Sequence, residues 1–261
     1  MEPHAETKLL EAVALTRTFP NGTTAFRDLS FSVRQGEIVG IVGTSGSGKS
    51  TLLRVIAGLD RGNGSITLHG KEICGLSPLL GLVFQEPRLM PWLTVKQNAS
   101  FGLGGKGLRR AERGARALEW LKLVGLEGFE KHYPKECSGG MAQRAALARC
   151  LATQPEVLLL DEPFSALDAF TRMQLQDVLV SIWEKFHRTF ILVTHDIDEA
   201  LYLSDRILVL RGQPGVLAAE IRVELPRPRP RGDAQLARLK NDILVILNVN
   251  GHTMPAVEYN L

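Results

Sequence analysis

An apolar run, Ile38-Val39-Gly40-Ile41-Val42, opens directly into Gly43-Thr44-Ser45-Gly46-Ser47-Gly48-Lys49-Ser50, and a helical pattern begins at once. The loop fits G-x-x-x-x-G-K-[ST] in the strand–loop–helix setting that the motif requires. Its glycines let successive backbone N–H groups converge on phosphate oxygens. The helix start behind it adds partial positive charge. Lys49 is expected to reach the β- and γ-phosphates and Ser50 to bind Mg²⁺, with Thr51 beside them. A Gly/Ser surface loop is the plain alternative, but such a loop has no need of a buried strand before it and a helix after it.

A second constellation supports the first. Leu158-Leu159-Leu160 ends in Asp161-Glu162. Adjacent residues at a strand end point in different directions, so each carboxylate can take its own task. Asp161 is expected to hold the metal, and Glu162 to accept a proton from attacking water. Phe190-Ile191-Leu192-Val193 ends likewise in Thr194-His195-Asp196. Parallel α/β sheets place ligands at strand C-termini, which sets His195 near Lys49 and Glu162. The other histidines (His4, His69, His132, His187 and His252) lack this placement and read as surface or packing residues.

The remaining pattern gives the architecture. Short β-type runs at 9–15, 29–33 and 37–42 are separated by turns such as Asn21-Gly22 and Gln35-Gly36. Residues 50–59 read as a helix, and 87–154 as a mostly helical stretch with one apolar face over 109–124. Buried strands at 157–160 and 189–193 alternate with helices near 170–186 and 197–203. This alternation predicts an α/β fold with a mostly parallel sheet and flanking helices. The early β-type runs precede the sheet, and the helical stretch is an insertion. Leu225-Pro226-Arg227-Pro228-Arg229-Pro230-Arg231-Gly232 predicts an extended, polyproline-like linker before a last helix at about 234–247.

Composition excludes several classes. The net charge is only +3 with no long basic run, which argues against a nucleic-acid partner. The cysteines, Cys74, Cys137 and Cys150, are odd in number and scattered, as in a reducing compartment. No apolar stretch approaches the ~18 residues of a membrane span. The N-terminal residues carry charge and no apolar core, so they are not expected to be a secretory signal.

Cys137-Ser138-Gly139-Gly140-Met141-Ala142-Gln143-Arg144 is a Ser cap and two glycines before a helix, a second anion-binding helix end. One phosphate loop needs no second cradle. The segment closely resembles the LSGGQ signature of ABC ATPases, and it falls just before Asp161-Glu162, as in that family. Cys137 replaces the usual Leu and can pack as a small hydrophobe. The order is residues 43–50, Gln85, the signature, Asp161-Glu162, Ser165-Ala166-Leu167-Asp168 and His195, over about residues 9–215. The segments 84–92, 161–168 and the Pro/Arg tail are similar to nitrate/sulfonate/taurine importer ATPases, most of all the aliphatic sulfonate branch.

The resemblance implies that the early, N-terminal β strands are antiparallel to one another, and it implies an ATPase with ATP and Mg²⁺ as ligands. It implies that Gln85 sits near the metal and the attacking water and that Phe19 stacks on adenine; a buried core Phe is the alternative. Ser138, Gly139, Gly140 and Gln143 would contact the γ-phosphate held by a second subunit, with Asp168 at the seam of a head-to-tail homodimer. It implies permease subunits as direct partners, a periplasmic or lipoprotein solute-binding protein indirectly, and a place on the cytoplasmic face of the cell (inner) membrane. Residues 1–85 with 155–215 would form the nucleotide-binding core, 86–154 a helical signature subdomain and 216–261 a C-terminal extension. Arg88, Leu89, Met90 and Trp92 would line a cleft that receives a permease helix, or else pack under the insertion. An exporter subunit or a DNA-acting ABC ATPase is the alternative function. The absence of a sustained heptad pattern argues against the second.

Overall fold

A computed structural model describes residues 8–248, so His4 and His252 lie outside the described residues. The described residues begin with a long antiparallel hairpin, β1 (Lys8–Thr18) and β2 (Thr24–Arg34). With β4 (Asn63–Leu68) and β5 (Lys71–Glu72) these form a four-stranded sheet in the order β2-β1-β4-β5. The second sheet holds β3 (Ile38–Gly43), β6 (Leu80–Val83), β7 (Val157–Asp161), β8 (Thr189–Val193), β9 (Arg206–Arg211) and β10 (Val216–Arg222). Its order is β10-β9-β3-β8-β7-β6, parallel except for β10.

The apolar runs are explained by what covers each face. Along β7 and β8, Leu158, Leu160, Phe190 and Leu192 enter one core with the helices, whereas Val157, Leu159, Ile191 and Val193 enter another. That second core lies under the antiparallel sheet and α1 (Lys49–Ile56). Strands covered on both faces are apolar throughout, which is why no polar alternation shows in them. At β3, Gly40 is required by closeness: a Cβ there would lie 2.5 Å from the Ser204 hydroxyl.

Between β6 and β7 the chain forms α2 (Val95–Phe101), α3 (Arg110–Leu123) and α4 (Gly139–Ala152), which pack on one another. Thr94 and Gln97 close a capping box at the start of α2. Buried Asn98 donates to the carbonyls of Met90, Leu93 and Thr94 and accepts from the Met90 N–H. The segment after Gln85 is thereby tied to α2. After β7 come α5 (Ala169–Phe186) and, after β8, α6 (Ile197–Leu203).

Two expectations are corrected at the C-terminal end. A boundary at 215/216 falls inside the β9–β10 hairpin, and β10 is the edge strand of the main sheet. Its weak exposed/half-buried alternation hid it in the sequence. Nor is 225–232 a free linker. The Arg227 guanidinium stacks on Trp183, 3.9 Å from the ring centroid, and pairs with Asp205. Arg231 stacks on Tyr202 at 3.9 Å and bonds Asp177 at 2.8 Å. Arg229, only 4% exposed, donates to the carbonyls of Leu201, Tyr202 and Ser204, and to Val223 and Leu225. It caps the carbonyl end of α6, where a cation and orphan acceptors suit each other. Burial lowers the Arg229 pKa to about 10, so the group stays charged at neutral pH. The strap delivers the chain to α7 (Ala234–Asn248), whose Leu236 and Ile243 pack on α6, β9 and Val42.

Arg229→Met is expected to cost about 3 kcal/mol, because several buried carbonyls lose their donor together. A lowered urea midpoint with an unchanged slope would show it; an unchanged midpoint would mean that the strap adds nothing to stability.

Candidate functional site

The loop at 43–50 leaves β3 and enters α1 with backbone shapes that only glycine allows cheaply. Gly48 has φ +80, and a Cβ there would lie 2.7 Å from the Ala25 carbonyl oxygen. No side chain caps the start of α1. Its first-turn N–H groups therefore remain for an anion. Lys49, 7% exposed, folds back so that Nζ donates to the carbonyls of Gly43 at 2.9 Å and Thr44 at 3.1 Å. Burial lowers its pKa, while Glu162 and Asp161 oppose the shift. The Ser47 hydroxyl is buried with no hydrogen-bond partner.

Asp161 ends β7 and is 5% exposed. Ser50 Oγ donates to its Oδ1 at 2.7 Å. Burial raises the Asp161 pKa, opposed first by that hydrogen bond. Glu162 follows with φ +45, an uncommon conformation for a non-glycine residue, and its N–H donates across to the Val193 carbonyl at 2.9 Å. That backbone turns the Glu162 side chain away from Asp161's task and toward its neighbours. His195 Nδ1 lies 3.1 Å from Glu162 Oε2, and Gln85 Nε2 approaches the same oxygen at 3.5 Å. Three side chains from the ends of β6, β7 and β8 thus meet at one carboxylate.

Beside them a cavity of about 720 Å³ is lined by Phe19, Ser45, Lys49, Thr51, Glu162 and His195, among others. Phe19 is half-buried at its mouth, with the Arg17 guanidinium 4.6 Å over its ring, so it is not a core residue. Sequence reasoning missed Gln213. It lines the same cavity and donates from Nε2 to the Ser45 carbonyl at 3.0 Å. It lies in a turn after β9 with no motif around it, so no local signal marked it.

The signature residues do not line this cavity. Ser138 caps α4 by accepting from the Met141 N–H at 3.2 Å. Gln143, 3% exposed, donates to the Phe84 carbonyl at 3.2 Å. Its side chain is engaged within its own chain, next to Gln85. Asp168 caps α5 by accepting from Phe170 and Thr171 N–H groups at 3.1 and 3.0 Å, and Phe170 stands 81% exposed beside it.

The residues present suit a phosphate group and a hard cation. An uncapped helix start, a buried lysine held only by carbonyls and an unpartnered buried hydroxyl all offer donors to anionic oxygens. The Ser50 hydroxyl and the Asp161 carboxylate are adjacent oxygen donors of the kind that Mg²⁺ takes. The fold and this site define a P-loop nucleotide-binding ATPase domain.

Comparison with known proteins narrows that class. Residues 26–165 match the family described as ABC transporter. The chain is 49% identical over 239 residues to the aliphatic sulfonates import ATP-binding protein SsuB 2 of Burkholderia lata, covering 91% of this chain and 86% of that protein. It is 46% identical over 242 residues to an uncharacterized ABC transporter ATP-binding protein of Methanocaldococcus jannaschii, covering 91% of both. A solved dimeric ATP-binding cassette in a post-hydrolysis state, bound to ADP and Pi, superposes with a TM-score of 0.75 at 33% identity. That likeness covers 84% of this chain and 100% of the other. The chain belongs to the ABC transporter family, as an ATPase subunit.

Proposed function

We propose that this chain is the ATP-binding and hydrolysing subunit of an importer for a small oxyanion-type solute, foremost an aliphatic sulfonate. The observation that carries the reading is the meeting of Gln85, Glu162 and His195 at one carboxylate beside Lys49. The identity to relatives named for aliphatic sulfonate import supports the cargo. Among the described residues no helix is long and apolar enough to cross a membrane, so a separate permease would supply the path.

In this reading Lys49 exchanges its two carbonyl partners for the β- and γ-phosphate oxygens of ATP. The α1 N–H groups, with Thr51, complete the cradle. Ser50 and Asp161 would hold Mg²⁺, with Gln85 at its edge; bound there, the ion would neutralise phosphate charge. Glu162 takes the proton from the attacking water. His195 and Gln85 fix the Glu162 carboxylate. Phe19 takes the adenine ring by stacking, on the face opposite Arg17.

The signature works in trans, across a head-to-tail homodimer. Its absence from the lining of the Lys49 cavity and the dimeric state of a solved relative support this. Asp168 and exposed Phe170 then lie at the seam. Ser138, Gly139 and Gly140 meet the partner's nucleotide, while Gln143 links that helix to Gln85 through Phe84.

In the same reading residues 88–92 line the cleft that receives the permease. Leu89 packs on the helical core and Met90 is tied to Asn98, whereas Trp92 is 71% exposed. An exposed aromatic of this size suits a helix-in-groove contact. Trp92→Ala is expected to leave hydrolysis by the isolated subunit within about twofold, as surface changes do. It should sharply reduce co-purification with the permease. Undiminished capture would move the cleft elsewhere.

Uptake of a labelled alkanesulfonate by proteoliposomes holding the whole transporter tests the cargo. ATP-dependent uptake, abolished in Glu162→Gln, is the expected result. Uptake of nitrate or taurine alone would reassign the substrate. Outward movement would overturn import.

A further inference from the structure

The turn that carries His195 is held from beneath by a buried acid. Thr194 is 1% exposed; its hydroxyl donates to Glu199 Oε2 at 2.6 Å and accepts from the Asp196 N–H at 3.0 Å. Glu199 sits on α6 at 5% exposure. Arg172, on the first turn of α5, faces it from the other side. Its Nη1 lies 3.2 Å from Asp196 Oδ2 and its Nε 3.6 Å from Glu199 Oε1. Its Nη2 donates to the Leu167 carbonyl at 3.2 Å. One guanidinium therefore joins the segment ending at Asp168 to the turn that presents the imidazole. Its buried Nε makes no hydrogen bond, so the contact with Glu199 is an ion pair at 3.6 Å without one.

We infer that Arg172 and Glu199 are positioning residues: the ion pair between α5 and α6 holds the Thr194-His195 turn so that the imidazole meets Glu162. The inference rests on the role proposed above for Glu162 and His195. A buried carboxylate needs a partner to stay charged. Without Arg172, Glu199 would take up a proton and its bond to Thr194 would weaken. A small displacement of a group bound to the catalytic carboxylate costs rate more than binding. The same guanidinium also makes the position of residues 165–168, at the proposed dimer seam, felt at His195.

Burial raises the Glu199 pKa to about 7; Asp196 adds to the rise, and Thr194, Arg172 and His195 oppose it. A second cavity, of about 440 Å³ and separate from the one at Lys49, is lined by Arg172, Asp196 and Glu199 together with Asp198 of α6, Arg231, Asp233 and Lys240 of α7. The ion pair is intact above that pH and is lost as pH falls through it. The turn should loosen, and hydrolysis slow, on the acid side.

The test compares wild type with Arg172→Met, Arg172→Lys and Glu199→Gln, using the full chain. Glutamine keeps an acceptor for Thr194 and removes the charge. Arg172→Met and Glu199→Gln are expected to lower kcat about tenfold with ATP affinity unchanged. Arg172→Lys should recover part of the loss. In Glu199→Gln the acid-side fall near neutral pH should vanish, and the His195 imidazole NMR signal should shift in nucleotide-free protein. If Arg172→Met fails to fold, Glu199→Gln and Arg172→Lys decide the matter. An unchanged kcat, an equal loss of ATP affinity, or a wild-type pH profile and imidazole signal in Glu199→Gln would overturn the inference. The NMR signal does not depend on hydrolysis, so it separates this failure from a failure of Glu162 as the base.

Discussion

Glu162→Gln is expected to bind ATP normally and to hydrolyse it about 10²–10⁴-fold more slowly, the usual loss when a general base is removed. The structure gives a reason to expect a clean separation of binding from chemistry. Lys49, the α1 N–H groups and the Ser50–Asp161 pair make the cradle, and Glu162 takes no part in those contacts. Glutamine has the same shape and keeps an acceptor for His195 and Gln85. With ATP held and chemistry stopped, the dimer should persist, and light scattering should find it with ATP and not with ADP. A variant that hydrolyses at the wild-type rate would remove Glu162 from the mechanism. One that stays monomeric with ATP bound would remove the dimer.

Lys49→Ala should fold, yet lose about 10²-fold in ATP affinity, because a buried cation on the outer phosphates is replaced by nothing. Unchanged affinity in a nucleotide titration would place Lys49 outside the site. Ser138→Arg complements it. Loss of the α4 cap costs about 1 kcal/mol, so the monomer should still fold and bind ATP. The new cation at the seam should stop hydrolysis. Mixing the two dead variants then reads the geometry. If the signature acts in trans, each mixed dimer holds one site with both defects and one intact site, and activity returns. If it acts in cis, every site carries one defect. A silent mixture, with mixed dimers shown to form, would refute the trans arrangement.

The relation of sequence to site is uneven, and the unevenness has a physical cause. Strand ends at Asp161 and His195 were legible because a parallel sheet buried on both faces demands apolar runs that stop where the sheet stops. The helix at Ile197–Leu203 was legible from the alternation of strands and helices, and the structure adds its cap, Asp196, which accepts from the Asp198 and Glu199 N–H groups. By contrast β4, β5 and β10 are short or half-exposed and carry little apolar pattern; β5 and β10 pair with the strands just before them, whereas β4 finds its other partner, β1, far back in the chain.

What the sequence by itself determined is local: the glycine-dependent loop at 43–50, the apolar strands, the capped helices, and the kinds of side chain at the strand ends. Local chemistry settles these, since each depends on residues within a few positions. Tertiary structure alone decided the rest. It turned Glu162 toward His195 through a backbone shape set by the Val193 contact. It brought Gln213 to the phosphate loop and Gln143 inward to Phe84. It also made a Pro/Arg stretch, extended by local propensity, into a strap. The carbonyls at the end of α6 need donors, and Arg229, far from them in the sequence, supplies them in the folded chain.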